Sequence, residues 1–177
     1  MRKSDIKSLP EFYDRYINLV DDMELLEALE TITPEYLFSD TYSLQAIEDK
    51  VYAPEKWTIK DIIQHCIDTE RIMSYRALRF ARNDGTPLPG FEEGEYAFHT
   101  ITSQRTIEDL LDEYEIVRAS TVAQFQHFND LMLNRSGVAS HRTISVGSLG
   151  YVIVGHAIHH INVIRERYYP LIQQEID

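Results

Sequence analysis

The stretch Ser145-Val-Gly-Ser-Leu-Gly-Tyr-Val-Ile-Val-Gly-His156-Ala-Ile-His159-His160-Ile-Asn-Val-Ile-Arg165-Glu-Arg167 decides the fold. Its apolar residues recur at helical spacing, and Ser145 stands where an N-cap belongs. Arg165 and Arg167 fall where the helix dipole favours cations, and Pro170 marks the predicted stop. At about 100° per residue, Leu149, Val152, Ile153, His160, Val163, Ile164 and Arg167 all lie within roughly 80° of His156. His156 and His160 therefore occupy the middle of a core-facing stripe, and His159 sits about 60° to the other side, on its flank. Val154, Ile158 and Ile161 lie opposite, so the helix is apolar all round. Its outer side needs cover too, from a second copy in a homodimer or from the chain's own long loops.

Three more long helices are read outward from this one. Thr58 is a good N-cap, Asp61 meets the free amides of the first turn, and Trp57 and Ile62 take the two places of a hydrophobic staple, which predicts a helix from Thr58 to about Asn83. Its His65 face carries Ile62, Thr69, Ile72, Met73, Arg76 and Phe80. Leu110, Leu111, Tyr114, Val117, Thr121, Phe125 and Phe128 form the stripe of a helix from Thr106 to Asn129. Phe12, Tyr16, Leu19, Val20, Met23, Leu26 and Leu29 do the same from Pro10 to Thr31, with a shorter helix around Ser43 to Asp49. Asp84 to Gly94 holds two prolines and three glycines and is predicted to be a non-helical loop or lid, and Asn134 to Thr143 a polar connection. Four long helices predict an all-α four-helix bundle, in which the long connections 33–56 and 84–105 leave simple up-down-up-down order unassured.

The chain has 177 residues, 17 Lys and Arg against 29 Asp and Glu, and a formal charge of −12. That length suits a single domain spanning residues 1–177 with one substantial core. The lone Cys66 cannot form an internal disulfide, and the start of the chain has no apolar run resembling a signal peptide, so a cytoplasmic location is expected. Apolar stretches stop well short of the roughly 18 residues of a membrane span, and the negative charge repels phosphate backbones. Neither a membrane nor a nucleic acid is an expected partner.

Buried imidazoles need partners, and two at i and i+4 on one face repel each other when both are charged. A divalent metal satisfies them: it takes neutral imidazole nitrogens, and a third histidine from a facing helix completes three ligands while leaving positions open. His65, His156 and His160 are the candidates. The alternative is a set of core histidines hydrogen-bonded to Asp, Thr or backbone groups. A zincin motif is absent because no acid lies between His156 and His160, and Glu-x-x-His, the di-iron signature, does not occur.

At Trp57-Thr-Ile-Lys-Asp-Ile-Ile-Gln-His65-Cys-Ile-Asp-Thr-Glu-Arg71, Tyr75 to Arg82, Thr86-Pro-Leu-Pro-Gly-Phe-Glu92 and Gly155-His-Ala-Ile-His-His160 to Tyr168, the chain resembles the DinB-like (DinB/YfiT-like) superfamily of metal-binding four-helix bundles. The resemblance implies an up-down-down-up bundle and a metal, often nickel or zinc, on His65, His156 and His160. It also implies frequent homodimers, and relatives that include S-transferases and an isomerase using low-molecular-weight thiols. A family of this kind raises fold and site more than any one reaction.

Three functions are consistent with these residues: a metal-dependent enzyme, either a thiol S-transferase or a hydrolase acting on a small molecule; a non-catalytic binder of metal or small ligand in a stress response; and a bundle with purely structural histidines. Arg76 and Arg167 fall on inward faces, where they anchor an anionic substrate or cofactor, or else snorkel or pair with acids at the bundle ends. Asp68 and Thr69, one turn beyond His65, either orient a ligand or make local helix hydrogen bonds. Cys66 reads as a small buried hydrophobe, and His99, His127 and His141 as surface residues. Glu92, Glu93 and Tyr96 are placed to cover the site or simply to fill the loop.

Overall fold

The computed structural model describes residues 1–173. Short helices α1 (Asp14–Ile17), α2 (Leu25–Thr31), α3 (Pro34–Leu37) and α4 (Thr41–Ile47) lead into the long α5 (Ile59–Ala81). After α6 (Glu93–His99), α7 (Ile107–Phe125) and α8 (Asp130–Leu133) comes a hairpin of β1 (Ser136–Ala139) and β2 (Arg142–Ser145). It feeds α9 (Val146–Val163), which widens into a π turn over Ile164–Tyr168 and is followed by α10 (Pro170–Gln173).

The long helices start where side chains satisfy their free amides. Thr58 accepts from the Asp61 amide at 3.1 Å while Asp61 accepts from the Thr58 amide at 3.0 Å, a reciprocal box that fixes the start of α5. Thr106 and Asp109 repeat it at α7, and Ser145 caps α9 by accepting from the Ser148 amide at 3.1 Å.

Helix directions follow from which ends meet. The Tyr168 hydroxyl donates to the carbonyl of Trp57 and Arg135 to that of Ala81, so α5 and α9 run antiparallel. Arg105 reaches Gln64, Arg118 reaches Glu70 and Gln124 reaches Ser74, so α5 and α7 run parallel. Leu25 packs at Gly150 and Arg165 donates to the carbonyl of Leu37, which sets the α2–α3 segment parallel to α9. The order is up-down-down-up, as the resemblance implies. One half of the core joins the N-terminal helices, the hairpin and the first half of α9. The other joins α4, the first half of α5, the start of α7 and the end of α9.

The structure corrects several expected boundaries. The helix expected over Pro10–Thr31 is two short ones. Phe12 takes a left-handed φ of 75°, and the turn at Asp21 and Asp22 is held by the N-terminal arm, with Asp22 accepting from the Ser4 amide at 2.9 Å and Arg2 donating to the Asp22 carbonyl. Asn129 caps α8 by accepting from the Met132 amide at 3.0 Å instead of extending α7. α6 begins inside the Pro/Gly stretch, at Glu93. The supposed polar connection is the β hairpin, onto which Leu88 adds a parallel bridge. Pro170 begins a further helical turn instead of ending the segment, because an N1 position needs no amide hydrogen. The apolar outer side of α9 is covered by the chain itself: Val154 and Ile161 are buried, Ile158 is half-buried, and α1, α2 and α3 all pack against this helix.

Candidate metal centre

His65 comes from the second turn of α5, and His156 and His160 from consecutive turns of α9. Antiparallel packing brings the three together. His65 Nε2 lies 3.0 Å from His156 Nε2, which lies 3.2 Å from His160 Nε2, and one donor atom from each ring falls within 4.8 Å of the others. The Trp57 ring packs 4.9 Å from His65, and the Tyr16 ring 5.2 Å from His156.

A ring nitrogen carries either one hydrogen or one lone pair, so His156 Nε2 cannot accept from both neighbours, and three converging Nε2 atoms cannot satisfy one another. A metal satisfies all three lone pairs. Nitrogens at about 2.05 Å from one ion are separated by about 2.9 Å at right angles and about 3.3 Å at the tetrahedral angle. The spacings of 3.0 and 3.2 Å fall in that interval, so these residues fit an ion. Electrostatics agrees with neutral ligands. Burial, reinforced by the neighbouring histidines, pulls His65 down to about 4 and His160 to about 3, and holds His156 well below the ordinary imidazole value.

His159 lies outside the triad, half-buried against Tyr16 at 5.5 Å, in keeping with its flank position. Arg76 is inward and 2% exposed, but it does not pair with an acid: it donates to the Pro89 carbonyl at 2.9 Å and to Ser140 Oγ at 3.1 Å. Arg167 is not inward. Its side chain is exposed and paired with Glu166 at 3.1 Å, because the i→i+5 turn closed by the Tyr169 amide and the Ile164 carbonyl adds a residue to the helical period and turns Tyr168 inward in its place. Asp68 accepts from Gln64 at 3.0 Å, and its carboxyl is raised by burial. Thr69 Oγ1 is buried without the local helix bond that Thr121 makes to Val117. Cys66 is buried, which pushes its thiol far up, and His99, His127 and His141 are exposed.

A cavity of about 290 Å³ is lined in part by His156. Phe91, Glu92 and Glu93 of the Pro/Gly loop line it, whereas Tyr96 lies beside His65 in a separate, tighter cleft. Sequence reasoning missed Ser140 and Arg142, which line the cavity from the hairpin. Their one signal is the run of Val138, Thr143 and Ile144 around a two-residue Ser140-His141 turn, both left-handed at φ 50° and 63°. His159, His160, Trp57 and Tyr168 border another, more open cavity of about 340 Å³, which reaches the triad at His160.

Fold and triad together define a class: helical bundles in which one helix supplies a histidine and a second supplies a His-x-x-x-His pair around a common point. The chain belongs to the DinB superfamily, whose sequence model matches residues 20–164. It is similar in structure to a protein described as "YfiT from Bacillus subtilis is a probable metal-dependent hydrolase with an unusual four-helix bundle topology", with a TM-score of 0.67 and 15% identity over 93% of this chain and 91% of that one. No curated protein sequence matches the chain.

Proposed function

We propose that this is a metal-dependent enzyme acting on a small molecule, with His65, His156 and His160 as the metal ligands and hydrolysis as the reaction class. The carrying observation is the convergence of three neutral imidazoles, His65 and His156 buried and His160 half-buried, of which His156 lines a cavity. A divalent ion there, zinc or nickel, supplies the charge that makes water or a thiol nucleophilic near neutral pH. The residues of this chain do the rest. Trp57 and Tyr16 fix the imidazole rings, the wall of Phe12, Tyr13 and Phe91 excludes water from the apolar part of a substrate, and Arg76 offers a buried positive charge to an anionic one. The description of the YfiT structure as a probable metal-dependent hydrolase supports this reading.

A second reading, S-transfer from a low-molecular-weight thiol, draws on the two cavities that flank the triad, one for each reactant. Zinc- and nickel-loaded protein assayed against aryl esters, with and without bacillithiol and an epoxide, separates the two. Ester cleavage that needs no thiol, and that disappears with a chelator and in His156→Ala, supports hydrolysis. Turnover only with thiol and epoxide together supports transfer. Metal-independent cleavage, or none with either pair, rejects the enzyme.

A further inference from the structure

Thr69 and Arg142 line the cavity that His156 also lines, and each carries a buried side-chain polar atom, Oγ1 and Nε, that lacks a hydrogen-bond partner among the described residues. A buried polar atom left unpaired is destabilising, so two such residues at one cavity mark a place where a ligand supplies the missing partners. Thr69 is 97% buried, its relative exposure being 3%. Two guanidinium groups border the same space. Arg76 donates to neutral acceptors, a carbonyl, a hydroxyl and the Met73 sulfur, which leave its charge unpaired, and Arg142 lies over the Phe12 ring at 5.2 Å. Neither has a carboxylate partner among the described residues, and neither can lose its charge.

The remaining lining sets the rest of the ligand. Tyr13, Tyr16, Phe91, Met73 and Val152 make the walls largely aromatic and apolar. Glu92 and Glu93 also line it, and their negative charges oppose a dianion more strongly than a monoanion. A volume of about 290 Å³ lies at the bottom of the range for small-molecule sites.

Building on the triad as the reacting end of this cavity, we propose that the site takes a small monocarboxylate with an aromatic or aliphatic body. Its carboxylate sits between Arg76 and Arg142, and Thr69 donates a hydrogen bond to the ligand end nearest His156. Arg142 is a specificity-determining residue and Thr69 a positioning residue.

Calorimetric titration of the zinc-loaded protein with phenylacetate, phenylacetamide and benzyl phosphate tests this. Phenylacetate is expected to bind at least about tenfold more tightly than the other two: the amide lacks the charge that strengthens a bond to a guanidinium, and the phosphate dianion is the more strongly opposed by Glu92 and Glu93. Arg142→Gln is expected to weaken phenylacetate about tenfold with zinc content unchanged. Thr69→Val should also weaken it, while keeping or raising the melting temperature, because it removes an unpartnered hydroxyl. Equal affinity for acid and amide, tighter binding of benzyl phosphate, or no phenylacetate binding overturns the proposal. So does binding that depends on His156 but not on Arg142, which puts the carboxylate on the metal. Arg142-dependent discrimination in a protein that takes up no metal would instead refute the functional reading and leave this pocket standing.

Discussion

The three histidines reach one point because two helical periods agree: His156 and His160 share a face by their spacing of four, and His65 lies on the inward face of the helix that packs against it. Those residues were legible in the sequence because regular helix geometry holds from Leu149 to Val163. Arg167 was misplaced because nothing in the side chains announces the π turn before it. The titration of the triad gives a prediction with a definite sign. In the metal-free protein the unfolded chain takes up protons from about pH 6.5 downward, whereas folded His65 and His160 resist until about 4 and 3. Protons therefore favour unfolding across that window, and stability should be level above about pH 6.5 and fall as the pH drops through it. Thermal melts between pH 7 and pH 3 check this. His65→Leu with His160→Leu should flatten the fall, and an unchanged slope would contradict the assignment. A second buried group makes a larger claim. Arg118 donates to both Glu70 oxygens at 3.0 Å, with both side chains at most 2% exposed, and also to the Ile32 carbonyl at 2.6 Å. Glu70→Ala leaves that guanidinium uncompensated, and urea unfolding should show a loss of about 3–5 kcal/mol.

At the scale of elements, caps and stripes made α5, α7 and α9 readable, since Thr58, Thr106 and Ser145 each sit before a long amphipathic run. The hairpin was hidden because each strand has four residues, of which β2 opens Arg142-Thr143, and because its left-handed turn uses Ser and His in place of Asn-Gly. The N-terminal stripe predicts one long helix because its apolar spacing continues through Asp21 and Asp22, but the Asp22 side chain and carbonyl bind the arm instead of continuing the helix. Two substitutions probe these joints. Thr58→Ala should cost about 1 kcal/mol in urea unfolding, the usual value of a cap. Gly155→Ala should cost more, about 2 kcal/mol or above, because a Cβ there overlaps the Tyr16 carbonyl and only movement of the α1 segment relieves it. Since Phe12, Tyr13 and Tyr16 wall the cavity, that variant should also weaken ligand binding, whereas Thr58→Ala should not.

Across the whole molecule, the up-down-down-up order sets α5 antiparallel to α9, and this is what lets one histidine from the first turns of the former meet a pair from the later turns of the latter. No helix among the described residues is long and apolar enough to cross a membrane. The Pro/Gly loop and the hairpin close one side of the triad: Arg76 links Pro89 to Ser140, and the Leu88 amide donates to the Val138 carbonyl at 2.9 Å. Cavity and donor set are thus products of the same packing, and the account stands or falls on whether a single ion occupies their junction. X-ray absorption spectroscopy of the zinc-loaded protein addresses that directly. It should show zinc with three imidazole nitrogens at about 2.0–2.1 Å, and His156→Ala should lose that signature. Zinc held with no imidazole scattering, or an unchanged spectrum in His156→Ala, would contradict it.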